Sequence, residues 1–156
     1  MRKHREGQCQ CGAIRYRLIG EPMVLYVCHC LHCQKQSSSA FGMSLIVEPE
    51  TFEIVSGEPR QWRTAGDSGV VKVCAFCGDC GTRIYHGSGD PSEPVSIKAG
   101  TLDDLTGLEP VAHIWTSRAL PWVTIDRDKY VCFDEEPSDE FDRQFRRSRN
   151  QRETRE

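Results

Sequence analysis

Short stretches of alternating or continuous apolar residues follow one another along this chain, each cut off by glycine or proline. Ala13-Ile14-Arg15-Tyr16-Arg17-Leu18-Ile19 alternates apolar and basic side chains, the period of a half-buried strand, and Gly20-Glu21-Pro22 ends it. Met23 to Val27 is a continuous apolar run of the length of a buried strand, and it feeds directly into Cys28. Phe41 to Val47 and Thr51 to Val55 are two further strands about the Glu48-Pro49-Glu50 break, and Arg60 to Arg63 is a weak one. Ala65-Gly66-Asp67-Ser68-Gly69 has the composition of a hairpin loop. Val70 to Phe76 is strongly β-prone, and Thr82 to His86, Pro94 to Ala99 and Val111 to Trp115 supply three more strands. Gln34 to Ser38 is long enough for one helical turn, and Thr101 to Leu105 for a turn or short helical piece. Strands recurring between glycine and proline breaks predict an all-β domain.

At 156 residues the chain is long enough for one domain with a modest core. Lys and Arg number 20 against 23 acids, a formal charge of −3, so no global basic field points to nucleic acid and no nucleic-acid partner is expected. No apolar run approaches the length of a membrane-spanning helix, so no membrane partner is expected either. The opening residues are charged without an apolar segment behind them, which is not the pattern of a secretory signal. From Asp134 the composition changes to an acidic stretch through Glu140 and then an arginine-rich one. Phe141 and Phe145 stand four apart in it, so a short surface helix could place both on one face. The expected division is a domain over 5–123 and a charged C-terminal extension over 124–156, partly helical or disordered.

Nine cysteines change the picture from fold to chemistry. The number is odd and most are clustered, which in a reducing cytoplasm points to metal ligands rather than disulfides. Cys77-Gly78-Asp79-Cys80-Gly81 has the form of a zinc knuckle, whose turn aims backbone N–H groups at the sulfurs. A redox pair of thioredoxin type would need a helix after it, and the residues following Cys80 are β-prone. Structural zinc takes four ligands, and Cys9 and Cys11, in a glycine-flanked turn, offer the missing pair. Cys28, Cys30 and Cys33 remain as a second set, and three thiolates with a free fourth position make a reactive zinc site rather than a closed one. A closed site is the competing reading, with Cys74 as fourth ligand and His29, His32 and His86 behind it. Cys132 stands alone and reads as a small buried hydrophobe. His113, Trp115 and Trp122 are candidates to line a pocket near the metal or to serve as core, and Lys98 could attract an anionic substrate.

Taken together, Gly7-Gln8-Cys9-Gln10-Cys11-Gly12, Cys28-His29-Cys30-Leu31-His32-Cys33-Gln34-Lys35, Phe76-Cys77-Gly78-Asp79-Cys80-Gly81-Thr82, Gly100-Thr101-Leu102-Asp103-Asp104 and His113-Ile114-Trp115 with Pro121-Trp122 resemble the glutathione-dependent formaldehyde-activating enzyme family, which includes centromere protein V. The resemblance covers about residues 5 to 123 and implies a β-tent fold of several small coiled antiparallel sheets, also used by methionine-R-sulfoxide reductases. It implies two zinc ions per chain, a structural one on Cys9, Cys11, Cys77 and Cys80 and a second on Cys28, Cys30 and Cys33. The implied activity is that of a cytoplasmic carbon–sulfur lyase that makes or breaks S-hydroxymethylglutathione from formaldehyde and glutathione. Where members of the family continue past the third cysteine with Trp-Lys-Pro-Glu-Gly, this chain has Gln34-Lys35-Gln36-Ser37-Ser38, and Cys74 is additional to the pattern. The rival functional reading is a non-catalytic, zinc-stapled binding module with a protein or nucleic-acid partner.

Overall fold

The computed structural model describes residues 4–22, 24–66, 69–141 and 143. Eleven strands dominate it: β1 His4–Gln8, β2 Arg15–Ile19, β3 Val24–Cys28, β4 Gly42–Val47, β5 Phe52–Ser56, β6 Arg60–Ala65, β7 Val71–Phe76, β8 Arg83–Gly87, β9 Val95–Lys98, β10 Ala112–Ile114 and β11 Val131–Cys132. One α-helix, α1 (Leu31–Ser37), and three single 3-10 turns lie between the strands, and residues 139–141 are helical as well. The chain is all-β, as its turn-punctuated pattern implies. Its strands form a three-stranded sheet, β1-β2-β5, and an eight-stranded sheet, β11-β10-β3-β4-β9-β8-β7-β6. Pairing is antiparallel except at β10, which runs parallel to both β3 and β11. Among the described residues no helix is long and apolar enough to cross a membrane.

The alternation of side chains along each strand gives the large sheet two unlike faces. Leu25, Leu45, Ile97 and Tyr85 stand opposite one another across β3, β4, β9 and β8. They belong to the larger core cluster together with Tyr16 and Leu18 of β2, so this face is spent on packing the two sheets together. Burying each such aliphatic side chain contributes about 1.5–3 kcal/mol. Phe52 of β5 joins the sheets through ring contacts at 5.6 Å to Tyr16 and 5.0 Å to Tyr85. The opposite face carries the neighbouring positions: Tyr26 and Cys28 on β3, Ser96 and Lys98 on β9, Lys72 and Cys74 on β7. Register places Trp62, Cys74, His86 and Ser96 in one row across it.

Three elements differ from the sequence pattern, each for a local reason. β1 carries no apolar alternation, since Gly7 is its buried position. It is held by pairing with β2, by an isolated bridge from Gly7 to Leu102, and by the Glu6–Arg17 ion pair at 3.2 Å. α1 starts at Leu31, ahead of the expected Gln34, because Cys30 caps it, its sulfur accepting the Cys33 N–H at 3.3 Å. β11 has two residues and gains its place from β10. Past it, the Trp115 and Thr116 N–H groups donate to the Glu135 and Phe133 carbonyls, so residues 133–135 are held against the turn that follows β10. Phe141 packs on Phe133 at 5.0 Å; Phe145, Met23 and the Asp67-Ser68 tip of the hairpin loop lie outside the described residues.

Tyr16 is fully buried with its hydroxyl 2.8 Å from Thr101 Oγ1, and burial pushes its phenol well above the ordinary range. Gly7 faces it across the β1–β2 ladder, and a Cβ there would overlap the Tyr16 ring and lie 2.7 Å from the Thr101 carbonyl oxygen. Gly7→Ala is therefore expected to destabilise the fold by about 1–3 kcal/mol, seen as a lower thermal midpoint, whereas an unchanged midpoint would show that β1 does not bear on the core.

Candidate metal centres and their cavity

Two turns of similar design bring four sulfurs together. In the first, the Cys9 N–H donates to the Ile14 carbonyl, the Gly12 N–H returns to the Cys9 carbonyl, and Gly12 takes φ +78°. In the second, Cys77 N–H donates to the Thr82 carbonyl, Gly81 N–H returns to Cys77, and Gly81 takes φ +77°. Both positive-φ positions need glycine. Ile14 N–H points at Cys9 Sγ at 3.2 Å, and Gln10 N–H donates to Thr82 Oγ1 at 3.1 Å, tying turn to turn. The Thr82 hydroxyl 3.2 Å from Cys80 Sγ, with the Thr82 and Cys11 N–H groups, lowers the Cys80 thiol to a pKa of about 5.

The sulfurs of Cys9, Cys11, Cys77 and Cys80 all lie within 4.8 Å of one another, with Cys9–Cys11 at 3.6 Å and Cys11–Cys77 at 3.7 Å. A tetrahedron built on zinc–sulfur bonds of about 2.3 Å has sulfur–sulfur edges of about 3.8 Å. The four sulfurs fit such an ion, and Cys9 and Cys77, each 1% exposed, would anchor it inside the core.

Cys28, Cys30 and Cys33 form a second group within the same 4.8 Å limit. Cys28 ends β3, Cys30 caps α1 and Cys33 lies in its first turn, so one strand-to-helix turn positions all three. Hydrogen bonds from the Cys28 and Cys33 side chains hold the Cys30 thiol down to about 2, while Cys30, Cys33 and burial push Cys28 up. Cys30 is the least buried member of the trio. Such a set fits a soft cation, and no fourth protein ligand joins it among the described residues. Cys74, His29, His32 and His86 stand outside the group. His29 is fully buried, its Nε2 2.9 Å from His113 Nδ1, with Phe41 and His113 against its ring.

The trio opens on a cavity of about 270 Å³, with a second of about 310 Å³ adjoining. Cys30 and Cys33 line both, as do Lys72, His86, Trp115 and Glu136. Lys98, Arg83 and Trp62 line the first. Lys98 is 7% exposed, and burial pushes its ammonium down. Burial and the charges of Lys98, Lys72 and Arg83 lower His86 to about 2, so its ring is neutral. Trp115 adopts φ +55°, uncommon for so large a side chain, and its indole N–H donates to Glu136 at 3.1 Å. Of the candidates read from sequence outside the trio, His32, Cys74, His86, Lys98 and Trp115 reach the first cavity. Trp122 is 73% exposed, and Cys132 is half-buried with its sulfur 3.5 Å from the Tyr130 carbonyl. Trp62, Lys72, Arg83 and Glu136 were not legible as site residues: the first three lie on strands of ordinary period that only strand order places beside the trio, and Glu136 lies outside the strands, where the Trp115 indole N–H meets it.

The profile of the glutathione-dependent formaldehyde-activating enzyme family matches residues 4–118. An "Uncharacterized lyase" of Schizosaccharomyces pombe is 29% identical over 133 residues, 85% of this chain and 80% of that one. A "Putative glutathione-dependent formaldehyde-activating enzyme" of Halomonas elongata is 25% identical over 134 residues, 82% of this chain and 85% of that one. A crystal structure of a Rhodobacter sphaeroides protein aligns with 82% of this chain and 98% of its own at a TM-score of 0.48 and 15% identity. The chain is thus an enzyme of carbon–sulfur lyase type. It belongs to the glutathione-dependent formaldehyde-activating enzyme family.

The two sulfur groups are expected to respond differently to loss of one ligand. Structural zinc contributes on the order of 10 kcal/mol, comparable with the roughly 5–15 kcal/mol by which a whole domain is stable. Cys77→Ser should abolish the cooperative thermal transition, whereas Cys30→Ser, whose hydroxyl can still cap α1, should cost less than about 2 kcal/mol. Equal effects in thermal denaturation would contradict the division of labour.

Proposed function

We propose that this protein is a zinc-dependent carbon–sulfur lyase that adds a thiol, glutathione, to formaldehyde and runs the reverse cleavage. One zinc ion would be held by Cys9, Cys11, Cys77 and Cys80 and a second by Cys28, Cys30 and Cys33. The observation that carries this reading is the placement of the cysteine trio at the wall of a cation-lined cavity. A purely structural role for the trio, as in a binding module, leaves that cavity without a purpose. When bound at the trio, zinc supplies a Lewis acid that favours the deprotonated form of an incoming thiol.

The chain's own residues then bind, orient and shield. Lys98 and its neighbouring cations favour an anionic reactant at the cavity wall. Trp62 and Trp115 flank the space and limit water around it. Formaldehyde needs no recognition beyond room to enter. The thiolate sulfur forms a bond to the carbonyl carbon, the C=O π pair moves to oxygen, and the proton released by the thiol is returned there to give the hydroxymethyl thioether. In the reverse direction the hydroxyl loses its proton, the C–S bond breaks and the thiolate leaves. Residues 5–123 carry the reaction, with Glu136 contributed by the 124–156 extension. A reduced cytoplasm is the setting in which both the ligand thiols and the substrate thiol persist.

Because formaldehyde and thiols combine unaided, the test is a rate above background. Exchange NMR of formaldehyde with glutathione should show faster interconversion with the wild type and a fall of at least tenfold in the enzymatic increment for Cys30→Ser. Equal increments from the two proteins, both folded, would remove the trio from the reaction.

A further inference from the structure

The cavity is basic in a chain that is not. The whole sequence carries a net charge of −3, yet Lys35, Lys72, Arg83 and Lys98 line the first cavity against one acid, Glu136. That acid is engaged by the Trp115 indole N–H at 3.1 Å. Among the described residues Lys72, Arg83 and Lys98 form no ion pair with any carboxylate. Lys98 is the most telling: its ammonium is only 7% exposed, and the groups that favour its charge are the Cys33 and Cys28 sulfurs of the trio rather than any carboxylate.

Topology explains the convergence. β7, β8 and β9 are neighbours in the large sheet, and they supply Lys72, Arg83 and Lys98 respectively. Cys74 and His86 stand opposite each other between these positions, and Ser96 continues the row. Arg83 has its guanidinium 5.9 Å from the Trp62 ring centroid, so its planar fork is propped against an aromatic wall. A guanidinium held in this way suits a carboxylate, which it can meet with two parallel hydrogen bonds. The same cavity is lined by Cys30 and Cys33, so a ligand with its sulfur at the trio would project its other end among these cations. A volume of about 270 Å³ lies near the lower end of small-molecule sites and suits a peptide-sized thiol or smaller.

We propose that Lys72, Arg83 and Lys98 form a carboxylate-binding subsite beside the cysteine trio, and that it selects small thiols carrying a carboxylate over neutral ones. This rests on the reading of the trio as the thiol site and adds the residues that decide which thiol enters. None of the three takes part in bond making; each is a specificity residue. Arg83 directs the carboxylate, Lys98 supplies charge from the cavity floor, and Lys72 closes the set.

The test separates recognition from reaction by using a probe that cannot react. γ-Glutamyl-seryl-glycine has the carboxylates of glutathione but no thiol. Titrated into the metal-loaded wild type by ligand-observed NMR, it is expected to bind, and to bind more weakly as salt is raised. Arg83→Gln and Lys98→Met should each weaken it by tenfold or more, the loss expected for a charge-assisted contact. In the exchange assay the wild type should prefer 3-mercaptopropionate to 2-mercaptoethanol, and the preference should collapse in both variants. Unaltered binding of the tripeptide in both variants would overturn the subsite. So would loss of the second metal ion in Lys98→Met, which would assign that lysine to balancing the charge of the trio. If Lys98→Met does not fold, Lys72→Gln with Arg83→Gln decides the question, since both side chains are only half-buried. Tripeptide binding that responds to the variants without any rate enhancement would uphold the subsite and remove the proposed reaction. Rate enhancement without discrimination between the two thiols would do the opposite.

Discussion

Everything else in this molecule depends on two glycine-closed turns meeting sulfur to sulfur. One precedes β2 and the other joins β7 to β8, so their meeting fastens the small sheet to the large one at a point remote in sequence. The fold has a core of its own, but the four sulfurs fix where the two sheets stand relative to each other. Sulfurs 3.6–3.7 Å apart, aimed at a common centre and served by backbone N–H groups, are arranged for a shared positive ion.

The large sheet turns this fastening into chemistry because its faces alternate. A residue and its neighbour in the same strand serve opposite ends: Leu25 packs the core while Tyr26 faces the trio's cluster, and Ile97 packs the core while Lys98 lines the cavity. The core face makes the sheet rigid, and rigidity gives the other face fixed positions for its charges. The cysteine trio begins at the end of β3, which lets a helix of seven residues complete a group of three sulfurs that neither element holds alone.

Much of this was legible in the residues themselves. The strands β2 to β10 follow from alternation and from glycine and proline, and the cysteine spacing separates a quartet from a trio. Pairing across 66 residues, as between Cys11 and Cys77, could be inferred from ligand count because zinc chemistry demands four. What escaped was everything that depends on which strands are neighbours. Lys72 and Arg83 look like ordinary strand cations until β7, β8 and β9 lie side by side. Glu136 lies in an acidic stretch whose composition suggests solvent, and only its link to Trp115 brings it to the cavity. β1 escaped for a different reason: its buried position is a glycine chosen for the Tyr16 ring, so hydropathy carries no trace of it.

The central claim is that seven sulfurs divide into a closed set of four and an open set of three. Anomalous diffraction at the zinc edge on crystals of the purified protein tests it most directly. The account expects two peaks per chain, one within bonding distance of Cys9, Cys11, Cys77 and Cys80, the other bonded to Cys28, Cys30 and Cys33 with its fourth position held by a non-protein ligand. A single peak, or a second ion whose fourth ligand is the Cys74 sulfur or a histidine ring, would contradict it.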